Sequence, residues 1–262
     1  MAVGSRGVIR FENDFTGAPS TSAAGVPLAL HNVLGGGVGL IGVNEGVLGQ
    51  TVDEDGGILA ITTDTGDNDN QALYAGTFKP ASGGMWMEAR FKIVDSVAAT
   101  RAAVFCGFSE TLALDTPVMP AETATTTTTY NGTGGMAGIV FDSDATTIAW
   151  RAVWGDAGAA LASKTPANVV GGAIGITANT QTVTADRWVV VRVEVTPAGI
   201  ARVYFGDVGS NDKLTYVGEN TAALGTSDCF HAVLMIENRS GADENLEVDY
   251  FEGEAYRDWA AD

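Results

Sequence analysis

Strict alternation of apolar and polar side chains recurs along this chain, and a two-residue period commits a segment to β-structure, because successive side chains of a strand point to opposite faces. In residues 85–94 (MWMEARFKIV), Met87, Ala89, Phe91 and Ile93 share one face, while Trp86, Glu88, Arg90 and Lys92 share the other. Residues 188–195 (WVVVRVEV) place Val189, Val191, Val193 and Val195 on one side. The turn Thr196-Pro197-Ala198-Gly199 then sends the chain back as 200–205 (IARVYF), which predicts a hairpin. The same signals predict strands at 7–11, 28–31, 58–63, 72–78, 102–109, 137–141, 148–154, 214–217, 230–237 and 246–252. Helical patterning is confined to 157–164 and 254–261 and does not recur after each strand, which excludes a βαβ fold.

Many short strands joined by Gly, Asn and Asp turns predict an all-β, two-sheet antiparallel jelly-roll sandwich. The 34 glycines among 262 residues follow no three-residue period, so they are read as turn residues and not as collagen. No repeat or composition break marks a linker. The expectation is one domain over 1–262, with an N-terminal arm or strand at 1–15, a Thr-rich insertion at 117–135 (PVMPAETATTTTTYNGTGG) and a C-terminal tail at 254–262. The insertion carries no large apolar group in its Thr run, so it is expected to be an exposed loop, or an edge strand that pairs with another subunit.

Fourteen basic against 32 acidic side chains give a formal charge of −18, which repels phosphate backbones and anionic headgroups. Nucleic acid and membrane are therefore excluded as expected partners. The first fifteen residues hold no apolar stretch of signal-peptide length, so synthesis in the cytoplasm without a signal peptide is expected. Cys106 and Cys229 lie in strand-like apolar runs and are read as two small buried hydrophobes in preference to a disulfide.

The chemical motifs are sparse. The glycines of 35–39 (GGGVG) lack the Lys-Ser/Thr of a phosphate loop and are read as a flexible turn. Of two histidines, His31 and His231, neither sits in a nucleophile-elbow context. Asp64, Asp67 and Asp69 gather hard oxygen ligands in one loop, as calcium requires, but without the sharp-turn glycine and distal Glu of an EF-hand. Calcium is the one candidate cofactor, set against a solvated acidic turn. Trp150 and Trp154, four apart on a strand, share a face that Trp86 would join if the strands are neighbours. Such a row stacks sugar rings or builds the core between the sheets.

Residues 85–93 (MWMEARFKI), 104–110 (VFCGFSE) and 246–251 (LEVDYF), with the 188–205 hairpin between them, resemble the concanavalin A-like lectin and glucanase superfamily over about residues 57–255. Asp249 in LEVDYF matches a position where that resemblance implies a calcium ligand. The glycanase branch implies a Glu-x-Asp-x-Glu strand that supplies paired carboxylates. No such triplet occurs: Asp142-Ser143-Asp144 and Glu247-Val248-Asp249 each lack the third acid, and Glu88 alternates with Arg90 and Lys92 as in a salt-bridged outer strand. No enzyme activity is expected.

Within the superfamily, the acidic, Gly/Ala/Thr-rich style is similar to the jelly-roll proteins of tailed-phage structural genes. That resemblance implies a non-enzymatic virion protein, a capsid decoration (cement) protein on the capsid exterior. It would be a trimer bound to the major capsid protein or other virion proteins. The expected contact residues are Val3 and Arg6 of the arm, Thr126 and Tyr130 of the Thr-rich insertion, and Tyr256 and Trp259 of the tail. The alternatives are a carbohydrate-binding module of a tail fibre or surface protein, and a divergent glycanase.

Overall fold

A computed structural model of the chain describes residues 8–13, 32–35, 38–42, 47–50, 57–94, 97, 101–112, 118–124, 127–130, 134–146, 148–155, 174–176, 181–207, 211, 213–220 and 224–256. Among them run β1 (Val8–Asn13), β2 (Asn32–Gly35), β3 (Val38–Gly42), β4 (Val47–Gln50), β5 (Leu59–Thr62), β6 (Asn70–Phe78), β7 (Met85–Ile93), β8 (Ala102–Ser109), β9 (Ala121–Ala124) and β10 (Thr127–Tyr130). They continue with β11 (Met136–Asp142), β12 (Ala149–Gly155), β13 (Ile174–Ile176), β14 (Gln181–Thr182), β15 (Val189–Val195), β16 (Ala201–Asp207), β17 (Thr215–Glu219), β18 (Phe230–Asn238) and β19 (Asn245–Tyr256). The helical content among the described residues is one 3-10 turn, Pro80–Ser82.

Two antiparallel sheets face each other. The first has the order β17-β16-β15-β7-β19-β5-β4, with β1 also paired to β19; the second has the order β13-β12-β11-β8-β18-β6-β3-β2, with β14 on β12. Between them lies the main core, into which β7 sends Met87, Ala89, Phe91 and Ile93, and β15 sends Val189, Val191, Val193 and Val195, as their alternation predicts. The outward residues of β7 stay half exposed, because that face of the first sheet meets water.

The second sheet differs. Every residue of β8, β11 and β12 is buried, on both faces. Inward go Cys106, Ile139, Trp154 and Leu234; outward go Phe105, Val140, Val153 and Met235, which form a second apolar cluster with Met119 and Ala121. The cover over that outer face is the β9–β10 hairpin, paired from Thr127 with Ala124 to Tyr130 with Ala121. Where β8 and β11 cross at mid-sheet, Gly107 pairs with Gly138, and a Cβ on Gly107 would lie 2.3 Å from the Ala137 carbonyl oxygen. Only glycine permits that approach.

Several expectations are corrected. The Thr-rich insertion is not an open loop where β9 and β10 pair with each other, and Met119 and Ala121 beside them supply the apolar contact with the sheet beneath. Residues 254–256 are the end of β19 and not helix, and β1 pairs with them from Val8 with Tyr256 to Asn13 with Phe251, so this part of the arm is a strand of the first sheet. Gly35 and Gly39 lie in the paired strands β2 and β3, and residues 36–37 of the expected turn lie outside the described residues. The expected strand at 28–31 and helix at 157–164 lie outside the described residues. Cys106 and Cys229 are free thiols; Cys106 is in the core, where burial pushes its thiol far up, and Cys229 is half-buried.

Candidate functional site

The outer face of the first sheet carries charge in ordered rows. Across the strands, Glu194, Trp86, Glu254 and Arg10 are register partners, and the next row is Arg192, Glu88, Glu252 and Glu12. Arg192 donates to Glu194 at 2.8 Å and to Glu88 at 3.3 Å, and the Tyr250 hydroxyl donates to Glu88 at 2.7 Å. Farther along, Arg90 pairs with Asp249 at 2.7 Å, and Lys92 with Asp186 and Glu247, both at 2.8 Å. Burial alone would lower the Lys92 ammonium, but Asp186 and Glu247 outweigh it and hold it above its ordinary value. Glu252 is raised by burial and by the facing Glu88. The indoles are cation seats: the Arg192 guanidinium lies 4.3 Å from the Trp86 ring centre, and Arg90 lies 4.6 Å from that of Trp188.

At one end of this face a cleft of about 250 Å³ opens. Trp86, Tyr256, Thr196 and the exposed Pro197 line it, with Glu194 and Glu254 at its rim, and Met85 and Val195, whose side chains belong to the main core, also border it. Gly83 and Gly84 close the remaining side with φ of +138° and +95°, values a side chain opposes. A Cβ on Gly83 would lie 2.8 Å from the Tyr256 ring, so the glycine is what lets that ring lie on the backbone.

A third constellation fastens the hairpin. Arg239, just past β18, is buried against Asp142 at 3.1 Å, Glu237 at 2.6 Å and Glu122 of β9 at 3.6 Å. Asp142 also accepts the Thr123 amide at 2.7 Å. Burial raises the Asp142 carboxyl even with Arg239 beside it, and pushes Glu237 up to about 7.

The predicted site residues scatter. Trp150 and Trp154 are 2% and 0% exposed, and Trp150 is ringed by Phe91, Phe141 and Phe205 at 5.5–5.9 Å between ring centres, so neither offers a face to a sugar. Trp86 lies on the opposite sheet and points to solvent, so the three do not form one platform. Among the described residues no three His, Cys, Asp or Glu side chains gather where a metal would be held, so Asp64, Asp67 and Asp69 do not converge as calcium ligands. Asp249 is the extra residue of a bulge between Val248 and Tyr250, where its carboxylate pairs with Arg90. His231 is bound at Nδ1 to the Gly76 carbonyl at 2.6 Å. Val3, Arg6, Thr126, Trp259 and His31 lie outside the described residues; Tyr130 lies in β10, and Tyr256 is 47% exposed in the cleft. Sequence reasoning missed Glu237 and Arg239, and also the pairing of Glu194 and Glu254 about Trp86, which depends on which strands are neighbours.

No protein-family model matches this chain, and no curated protein matches it. Solved structures do. A protein of unknown function from Shewanella oneidensis MR-1 aligns over 96% of this chain and 88% of its own, with 13% identity and a TM-score of 0.57. The Lotus tetragonolobus seed lectin aligns over 86% and 95%, with 10% identity and a TM-score of 0.51, and lectin II from Ulex europaeus over 94% and 98%, with 8% identity and a TM-score of 0.50. The fold is the concanavalin A-like jelly roll. Identities this low carry the architecture and leave ligand and activity to the chain's own residues.

Proposed function

We propose that this protein is a non-enzymatic structural component of a virus particle, a decoration protein on the exterior of a tailed-phage capsid. It is made in the host cytoplasm and bridges coat subunits as a homo-oligomer, a trimer. The observation that carries this reading is the covering of the apolar cluster on the second sheet's outer face by the chain's own Met119 and Ala121. The first sheet's outer carboxylates are engaged as well: Glu88 with Tyr250 and Arg192, Asp249 with Arg90, and Glu247 with Lys92. Such faces are suited to contact and not to bond cleavage, and the charge of −18 keeps a coated particle soluble.

Light scattering of the purified protein, and its co-sedimentation with undecorated capsids, test the reading. A stable oligomer that saturates capsids is expected. A monomer with no affinity for any virion component would overturn it. Carbohydrate binding is the second reading, and the fold shared with the Lotus and Ulex lectins favours it; specific signals on a glycan array would promote it. Release of reducing sugar would promote the glycanase reading instead.

A further inference from the structure

We propose that the cleft between Trp86 and Tyr256 receives a basic side chain, lysine or arginine, from a partner protein. The inference rests on the adhesive reading above and names the chemistry of its contact. An extended basic side chain has two parts, an aliphatic stem and a charged head, and the cleft has a place for each. Pro197 and the rings of Trp86 and Tyr256 take the stem. The rim takes the head: Glu194 and Glu254 are the register partners of Trp86 on the two neighbouring strands, so a cation beside the indole meets a carboxylate from either side.

The same row already shows what it selects. Arg192 lies 4.3 Å from the Trp86 ring centre and donates to Glu194 at 2.8 Å, which is an aromatic–carboxylate seat holding a guanidinium within the chain. Glu194 is thereby partly neutralised. Glu254 is not: its cross-strand neighbour Arg10 turns instead to Glu12 at 3.0 Å and Glu252 at 3.9 Å. Among the described residues, none forms an ion pair with Glu254. A protein of charge −18 adds long-range attraction for a basic partner.

A saccharide is the competing occupant, and its hydroxyls need donors and acceptors together. The backbone donors here are spent: the Gly83 and Gly84 amides donate to the Pro80 carbonyl, and the Thr196 amide donates to the Ile200 carbonyl. The side-chain donors that remain for a saccharide are the Trp86 indole N–H and the Thr196 and Tyr256 hydroxyls, whereas a cation needs only the acceptors of Glu194 and Glu254.

Titration calorimetry of the full chain with N-acetylarginine amide and N-acetyllysine amide tests this, with N-acetylglutamine amide and methyl glucoside as neutral probes. The cationic probes should bind, more weakly as salt rises, and Glu254→Gln should weaken them roughly fivefold. Glu254→Lys, at a half-exposed position that tolerates the change, should abolish binding with the β-sheet spectrum intact. Equal binding of the glutamine probe, binding of the glucoside alone, or indifference to Glu254→Lys would each overturn the proposal. Capsid co-sedimentation separates the two readings. Undiminished capsid binding by Glu254→Lys sinks the cleft and leaves the adhesive reading standing. Probe binding at the cleft by a protein with no affinity for virion components does the reverse.

Discussion

Replacing Glu237 by glutamine should stabilise the protein at pH 8 and leave it unchanged near pH 4. The Glu237 side chain is 4% exposed, beneath the β9–β10 hairpin, and shares Arg239 with Asp142 and Glu122. Burial pushes its carboxyl up to about 7 from an ordinary 4.5, because one guanidinium divided among three acids does not repay the loss of water. The folded chain therefore holds this proton more tightly than the unfolded chain does. Its contribution to stability is intact below about pH 4.5, declines as pH rises through 7 and is constant above. A gap of about 2.5 pH units, at about 1.4 kcal/mol per unit, sets a ceiling of about 3.5 kcal/mol. Glutamine has the shape of the protonated acid and never ionises. Urea unfolding at intervals from pH 4 to 8 should give midpoints that coincide for the two proteins at the acid end and separate steadily, with the variant ahead. Parallel curves would refute the reasoning. So would a wild type that gains on the variant as pH rises, since that is the signature of an ion pair whose attraction exceeds its desolvation.

Trp150→Ala empties a site enclosed by Phe91, Phe141 and Phe205 and should cost about 3–5 kcal/mol in chemical unfolding, with the β-sheet spectrum retained. Arg239→Met strands two buried carboxylates and should cost about 3–5 kcal/mol. Hydrogen exchange should then show residues 121–124 losing protection first, because Arg239 and Asp142 are what anchor β9. Millimolar calcium against a chelator control should leave the melting temperature unchanged, since Asp64, Asp67 and Asp69 do not converge.

The first sheet was legible in the sequence because it is wet on one side: β7 and β15 alternate, and alternation fixes both the element and its buried face. The second sheet was legible only as strands. AAVFCGFS is a continuous small and apolar run, and MAGIVFD and AWRAVWG are so apart from Asp142 and Arg151, and a strand without alternation is one covered on both faces. That signal foretells a cover, but it does not say which segment supplies it. The Thr-rich run looked unsuited because bulk was sought within it. A cover needs only small residues that fit against bulk already present, and Ala121 and Thr123 are buried in that way. The candidate site was harder to foresee. Trp86, Glu194 and Glu254 lie far apart in sequence, and what joins them is the order β15-β7-β19, which no local pattern encodes.

That order also bears on where any ligand can bind. To reach the apolar cluster on the second sheet's outer face, a ligand must lift β9, which is held by Glu122 on Arg239 and by the Thr123 amide on Asp142. Lifting it exposes the apolar cluster under Met119 and Ala121 and also breaks the partners of a buried carboxylate. A sugar, which gains little from apolar contact, offsets neither loss. On the outer face of the first sheet Glu88, Asp249 and Glu247 are each held by a basic partner, whereas Glu254, the register partner of Trp86, has no ion pair among the described residues.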